Sequence, residues 1–559
     1  MQVNNVELNR SAFGSTGLSR VTFMNVGAPS HEPVDRVERS ATAEPQPPQP
    51  TPAASPDVRV SYNPQDAQVM PAVETQVPRA DIGTDMSNAR MKMDDGATAK
   101  PDADGNYLFA PGTKGFQQAN TFVSAEKPLR LMEKALGHEI PWAFSGKLAV
   151  HPHAGDGFNA FYSRQGKSIN FYDGQDPIRK KTIAASESLE VVSHEAGHAI
   201  LDGIKPGLMG WFAGAEAEAF HESFGDMTAI LTTLQDDRVV DRVADQTGGD
   251  LRKQNVVAAL GEDLSLGINN SIFNGTKPAG WTIRNAINSF TYADPSTLPS
   301  NPKDDNQLGR EAHNFSRLFT GAFYDILTGL TAQQMAAGKA PADAIKAARD
   351  ILTPLTARMV ELGPNRMKKY SEMADAMIAA DKKDFNGAHT ALLTSVFANR
   401  KIRPANATDG QVPAVKLDRP IASDADAAKF LAASRADLGV PGDVPLQPAA
   451  RWTNQRGEQF VRYDYTQSAS VGQNLSTQLA GSLTVGFEPD GRLFHSRWEP
   501  IDQEQIAQAK DIIDFHFAEG DINDGSLAKS VKTDGHPWLG YVAVSADGDR
   551  QVVRIPATT

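Results

Sequence analysis

The sequence contains no cysteine. Disulfides and thiolate metal sites are therefore excluded, and any metal ion must be held by histidine and carboxylate side chains. Long apolar runs are missing too: no stretch reaches the roughly eighteen apolar residues needed to span a bilayer. The N-terminus lacks the basic-then-apolar pattern of a secretory leader. As written, the chain is expected to be soluble, and either cytoplasmic or exported by a non-classical route. An excess of positive charge is also absent. The 559 residues carry a net charge of −13, whereas a phosphate-binding surface needs the opposite sign, so nucleic acid is not an expected partner. Apolar residues are sparse at the N-terminal end. Residues 44–56 read EPQPPQPTPAASP, and 28–104 is dominated by Ala, Pro, Asp, Ser and Gln. Such a composition cannot bury enough apolar surface to offset its ordering entropy. Residues 1–104 are expected to form a disordered tail or pro-segment.

Regular patterning begins near Tyr107 and defines a main segment, 105–404. EKPLRLMEKAL (126–136) has helical spacing, while LAVHPHAG (148–155), FNAFYS (158–163) and SINFYDG (168–174) read as strands, the last ending in an Asp-Gly turn. From 186 the period becomes helical and stops at Lys205-Pro206-Gly207. Residues 215–234 form a second helix, with Ala217, Phe220, Phe224, Met227 and Leu231 at steps of three and four. A third begins near His313, and further helical segments cover 331–337, 341–361, 368–380 and 384–398. Residues 405–450 read as a linker with one helix at 425–435. The remainder, 451–559, reads as a small α+β domain: a hairpin through Pro489-Asp490-Gly491, a helix at 502–518 and a hairpin through 546–549.

The chemical signal is His194-Glu195-Ala196-Gly197-His198. Residues four apart on a helix project from one face, so both imidazoles can reach a single ion. Glu195 then lies beside the open coordination position, where a water would sit. The plain alternative is a pair of surface histidines on an amphipathic helix. The next helix weakens that alternative, because an antiparallel return after the break at Pro206-Gly207 brings Glu222 over the two histidines. Two His and one Glu make an open, catalytic type of zinc site, one ion per chain, rather than a closed structural one. Asp226, one turn after Glu222, can accept the far ring N–H of a ligand histidine.

At this point the chain resembles the thermolysin-like peptidases of the gluzincin group, in which H-E-x-x-H is followed by a helix bearing E-x-x-x-D. The resemblance covers roughly residues 107–400. It implies an α+β, two-lobed metallopeptidase fold, with a strand-containing N-lobe that carries the zinc helix and a mainly helical C-lobe. It also implies hydrolysis of internal peptide bonds in a polypeptide substrate, with Glu195 as general base. Asn159 and Ala160 match the edge strand that binds substrate backbone, and Val191 and Ile283 match walls of the primed-side pocket. Asp202 follows the second histidine as in the family, His313 with Ser316 matches its oxyanion donor, and Arg284 resembles an arginine that holds Asp202 and the substrate carbonyl.

The chain departs from the family at three positions. His221 stands where Asn is usual, Met209 where a second oxyanion donor would be, and Thr233 where a carboxylate would bridge a calcium pair. Glu190 matches another ligand of that pair, but the missing bridge argues against a double calcium site. A third histidine, expected at 201–204 in a metzincin, is absent, as is the G-x-M-E-N aminopeptidase signature. His495, His516 and His536 are scattered and read as structural. The reading from another class is a catalytically inactive scaffold of the same fold that serves as a protein-binding module.

Overall fold

The computed structural model describes residues 57–554, except 301, 303, 408–411, 473, 519, 524–539 and 546–548. The expected tail therefore divides in two. Its first part, 1–56, lies outside the described residues, but 57–104 is built into the fold, contrary to expectation. Strands Asp57–Tyr62 and Val73–Pro78 pair antiparallel, and Met91–Met93 joins the main sheet. Val58, Val60, Ile82, Met86 and Met91 are buried in the same core as that sheet. The segment DVRVSY alternates exposed and buried positions, so a few well-placed apolar residues suffice where average composition suggests disorder.

Residues 91–184 form a five-stranded mixed sheet. Strand Ser168–Asp176 pairs in parallel with Leu148–Asp156 and antiparallel with Ala160–Ser163, which lies at the sheet edge. The Asp173-Gly174 step is not a turn. The strand runs through it and pairs with Lys181–Ala184, because Phe158 packs so closely on Gly174 that a side chain there would collide. Helix Lys114–Leu136 is longer than its periodic part suggests and contains Pro128.

Two cores meet at helix Leu189–Ile204. Val192, Ala196 and Ala199 face the sheet-bearing half, whereas Ile200 and Leu201 face a helical half built on Ala215–Thr233, Ala312–Ala336, Pro341–Leu362 and Tyr370–Asp384. Helix Ala312–Ala336 absorbs the segment expected as a separate helix at 331–337. The short helix Thr390–Asn399 closes this half. Among the described residues no helix is long and apolar enough to cross a membrane.

The expected linker is likewise part of a folded unit. Helix Asp424–Ser434 contributes Ala427 and Leu431 to a core shared with Val461, Tyr463, Leu483, Val485 and Phe487. The C-terminal sheet has seven strands, centred on Gln459–Gly472 and Leu475–Phe487, and helix Gln503–Ala518 packs against it. This sheet docks on the helical half through buried charge. Arg358 is 2 % exposed and donates to Glu361 and to Glu458, the latter at 2.7 Å. Lys383 approaches Glu458 at 2.9 Å, and the Trp452 indole donates to Glu361 at 2.8 Å. Burial disfavours the charged form of Glu458, but Arg358 and Lys383 outweigh it and hold its carboxyl down at about 2.

Because the folded pKa lies below the ordinary carboxylate value, this stabilisation is present above about pH 4.5 and fades as pH falls toward 2. Glu458→Gln should destabilise the protein by roughly 1–3 kcal/mol at neutral pH. Parallel denaturation of the two proteins should show the deficit shrinking below pH 4.5. A constant deficit would mean that the ion pair is not its source.

Candidate metal centre

Helix Leu189–Ile204 starts where Ser188 caps it, its Oγ accepting from the Val191 amide at 3.3 Å. That start sets the rotation that turns His194 and His198 to one side. After the turn at 206–209, helix Ala215–Thr233 returns and packs tightly on the first. A β-carbon on Gly197 would lie 3.1 Å from the Cα of Gly225, and one on Gly225 would lie 2.6 Å from the His194 ring. Two glycines inside helices thus let the His194 ring sit against the opposing backbone.

The result is a converging set of donors. His194 Nε2 lies 3.4 Å from one oxygen of Glu222, and His198 Nε2 lies 3.6 Å from the other. Donors about 2.0–2.1 Å from a tetrahedral ion stand roughly 3.4 Å apart, so this spacing suits one shared ion. Ligand atoms of His194, Glu195 and His198 also fall within 4.8 Å of one another. The Nε2 of His194 and Oε2 of Glu195 are buried and accept or donate no hydrogen bond, as expected of atoms facing an ion or its water. The group could hold a metal ion.

Around these donors runs a second layer of hydrogen bonds. Asp226 Oδ1 lies 3.1 Å from His194 Nδ1, while its other oxygen accepts from Thr320 Oγ1 at 2.9 Å. His198 Nδ1 meets His221 Nδ1 at 2.7 Å, so His221 occupies the place of an acceptor for the second histidine. Arg284 donates to Glu222 at 2.6 Å and to Asp226 at 3.0 Å. It does not hold Asp202, contrary to expectation: Asp202 is fully buried and receives Tyr162 Oη and Arg164 Nε, each at 2.7 Å. Tyr162 comes from the edge strand and Arg164 follows directly after it, while Arg284 is engaged by Glu222 and Asp226. His313, at the start of its helix, places Nε2 3.5 Å from Glu222, and Glu311 engages its Nδ1.

The charges are arranged asymmetrically. Burial and the Arg284 charge oppose protonation of His194, but Asp226 and Glu222 outweigh them and raise its pKa to about 9. Burial keeps His198 neutral, far below its ordinary value. Burial also lifts Glu195 to about 7, helped by repulsion from Glu222. Glu222 itself is held well below its usual range, because His313, Arg284 and His198 overcome its burial.

The remaining residues singled out from the sequence take these places in the fold. Asn159 precedes the edge strand and Ala160 begins it. Val191 is half-buried beside Gly261, and Ile283 is 39 % exposed next to Arg284, which pairs with Leu260. Gly197, Gly225, Thr320, Glu311 and Arg164 also shape the site, with no role expected of them from the sequence. Only the two glycines left a signal, since a glycine inside a helical pattern costs about 1 kcal/mol against alanine and asks for a reason. No protein-family model matches the chain, and no curated protein matches it. The functional reading therefore rests on the geometry.

His221 provides a direct test of this layer. His221→Leu should weaken metal retention by about 10–100-fold, the usual cost of losing such a partner. His221→Asn, whose carbonyl can still accept from His198, should lose less. Competition with a chromophoric chelator measures both, and equal affinity in all three proteins would show that the His198–His221 contact does not support the metal.

Proposed function

We propose that the protein is a zinc-dependent endopeptidase. The observation that supports this reading best is the placement of His194, His198 and Glu222 about one shared point, with Glu195 beside it. Zinc bound to the three would supply Lewis acidity, bringing water toward ionisation near pH ~7 and polarising the scissile carbonyl. Glu195 would take the water's proton and return it to the leaving amine. A carboxyl lifted to about 7 by burial is suited to both halves of that exchange. His313 would donate from Nε2 to the oxyanion, oriented by Glu311. Asp226 and His221 would fix the ring orientations of His194 and His198. The edge strand Ala160–Ser163 offers unpaired backbone to an extended substrate, which would add as a further strand.

The decisive comparison is between binding the metal and using it. His194→Ala and Glu222→Ala remove a donor, so zinc content and cleavage should fall together. Glu195→Gln keeps all three donors but cannot accept a proton: zinc should stay near one per chain while turnover drops by ~10²-fold or more. Metal analysis and peptide cleavage are read on the same preparations. A Glu195→Gln variant that cleaves like the parent would refute the reading, and a zinc-loaded parent that cleaves nothing would favour a binding scaffold.

Val191 and Ile283 beside the metal centre would form an apolar primed-side pocket. Cleavage of a peptide library should accordingly fall before Leu, Ile, Val or Phe. Mass-spectrometric mapping that finds charged residues at that position would contradict the pocket.

A further inference from the structure

The two faces of the C-terminal sheet differ in kind. On strands Gln459–Gly472 and Leu475–Phe487, Val461, Tyr463, Leu483 and Val485 fill the C-terminal core. The positions between them belong to the other face, the one docked on the helical half, and they are polar. Arg462 pairs across with Thr484, and Thr484 with Arg497 of strand Leu493–Glu499, so two arginines flank a buried threonine in one row. The adjoining row is Asp464, Ser482 and Glu499. Residues directly opposite one another share a sheet face, so both rows look into the joint. Lys205, the residue after the His194 helix, and Arg366 approach them from the other side.

The positive charge gathered there is only partly met. Asp464 stands 3.3 Å from Arg462, and Glu372 3.6 Å from Arg497. Glu499 is occupied by neutral donors, the Ser482 hydroxyl and the amides of Asn365 and Arg366. Lys205 is 3 % exposed, and its ammonium donates to the Glu361 carbonyl at 3.0 Å. Arg366 donates through Nε to the Ala480 carbonyl at 2.8 Å. Among the described residues, neither Lys205 nor Arg366 has a carboxylate within ion-pair distance. Arg366 Nη1, Arg462 Nε, Arg497 Nε and His495 Nε2 are buried without a hydrogen bond, and so, as an acceptor, is Asp464 Oδ1. Burial pushes the Lys205 amine down to about 7, and Arg462 and Arg497 push the same way against Glu499 and Glu361. A guanidinium has no such escape. It stays protonated, so a buried one needs a counter-charge.

We propose that Lys205, Arg462 and Arg497 hold one small tetrahedral oxyanion, inorganic phosphate or sulfate, in the joint between the C-terminal sheet and the helical half. Guanidinium N–H groups make short, charge-assisted bonds to oxyanion oxygens, and four such oxygens can meet donors that arrive from both sides of the joint. Chloride offers a single acceptor point. The closed walls favour a small free anion over a larger phosphate ester, since Thr484 is 1 % exposed and Lys205 3 %. The Arg497 side chain, 24 % exposed, marks the way in. Bound there, the anion would join the sheet to the first residue of the connection between the two metal-binding helices and hold Lys205 in its charged form.

The test follows thermal unfolding of the full chain by circular dichroism, so it involves no cleavage and is independent of the proposed function. At constant ionic strength in chloride, adding phosphate to about a hundred times its Kd should raise Tm by roughly 2–3 °C, with saturation at low concentration, and sulfate should act alike. Lys205→Met and Arg497→Gln should lose most of the shift. In chloride alone Lys205→Met should melt at or above the parent, because an unpaired buried charge is gone, and in phosphate the gap should close or reverse. Mere structural damage lowers Tm equally in both buffers. If Lys205→Met does not fold, Arg497→Gln, at the more exposed position, carries the comparison. A rise that never saturates and is equal in parent and variants is exclusion of salt from the surface. That result, or a parent Tm that phosphate and sulfate leave unmoved, would overturn the proposal.

Discussion

The close crossing of helices Leu189–Ile204 and Ala215–Thr233 governs the rest of the centre. At Gly197 the two backbones approach until a β-carbon would meet Gly225 at 3.1 Å. Each glycine inside a helix costs about 1 kcal/mol relative to alanine. The cost is offset by burial of Phe220, Phe224 and Met227 on one side and Val192, Ala196 and Ala199 on the other. Only at this separation does Glu222 come within 3.4 and 3.6 Å of the two Nε2 atoms. A wider crossing would leave two histidines and a carboxylate that share nothing. The donor set is therefore a consequence of backbone contact, and the side chains report it.

That dependence explains which parts of the centre were legible in the sequence. His194, His198 and Glu222 follow from helical periodicity and one break, as does the Asp226 partner of His194. These are local relations, fixed by a repeat of 3.6 residues. Thr320 and Glu311 touch the centre from the far side of the chain, Arg164 reaches Asp202 from just after the edge strand, and nothing local in their surroundings marks them. Arg284 was placed in the right neighbourhood but given the wrong partner. Its guanidinium spans Glu222 and Asp226, while Asp202 is held by Tyr162 of the edge strand and by Arg164 just after it.

At the level of the fold, composition misled where pattern did not. The stretch 57–104 is polar on average, yet Val58, Val60 and Tyr62 alternate within six residues and bury completely on one side. Within 405–450 the helix expected at 425–435 is present at Asp424–Ser434, but it is no part of a free linker, since Ala427, Leu431 and Leu438 pack in the core of the C-terminal sheet. Strand Gln459–Gly472 escaped notice because its outward positions are Arg, Asp, Gln and Ser, which mask the buried Phe460, Val461, Tyr463 and Tyr465. An average over a window loses a period of two, and a half-buried strand consists of little else.

The C-terminal domain enters this picture through the connection between the two helices of the centre. Residues 205–214 set how far the chain travels before it returns, and hence where Glu222 falls against His194 and His198. The half that carries the centre holds one end of the connection: Arg164 donates to the Pro206 carbonyl at 2.8 Å, Asn365 accepts from the Gly207 amide at 3.3 Å, and Lys205 donates to the Glu361 carbonyl at 3.0 Å. The far end is held from outside that half. Gln508, on the C-terminal helix Gln503–Ala518, donates to the Phe212 carbonyl at 3.3 Å, and Trp211 and Phe212 pack into the C-terminal core. Glu499 receives the amides of Asn365 and Arg366 at 3.1 and 3.0 Å, so the two braces are themselves joined. A domain merely appended to the chain has no need to reach this connection. Here it buttresses the segment that sets the register of the metal donors, which makes it part of the structure that builds the centre.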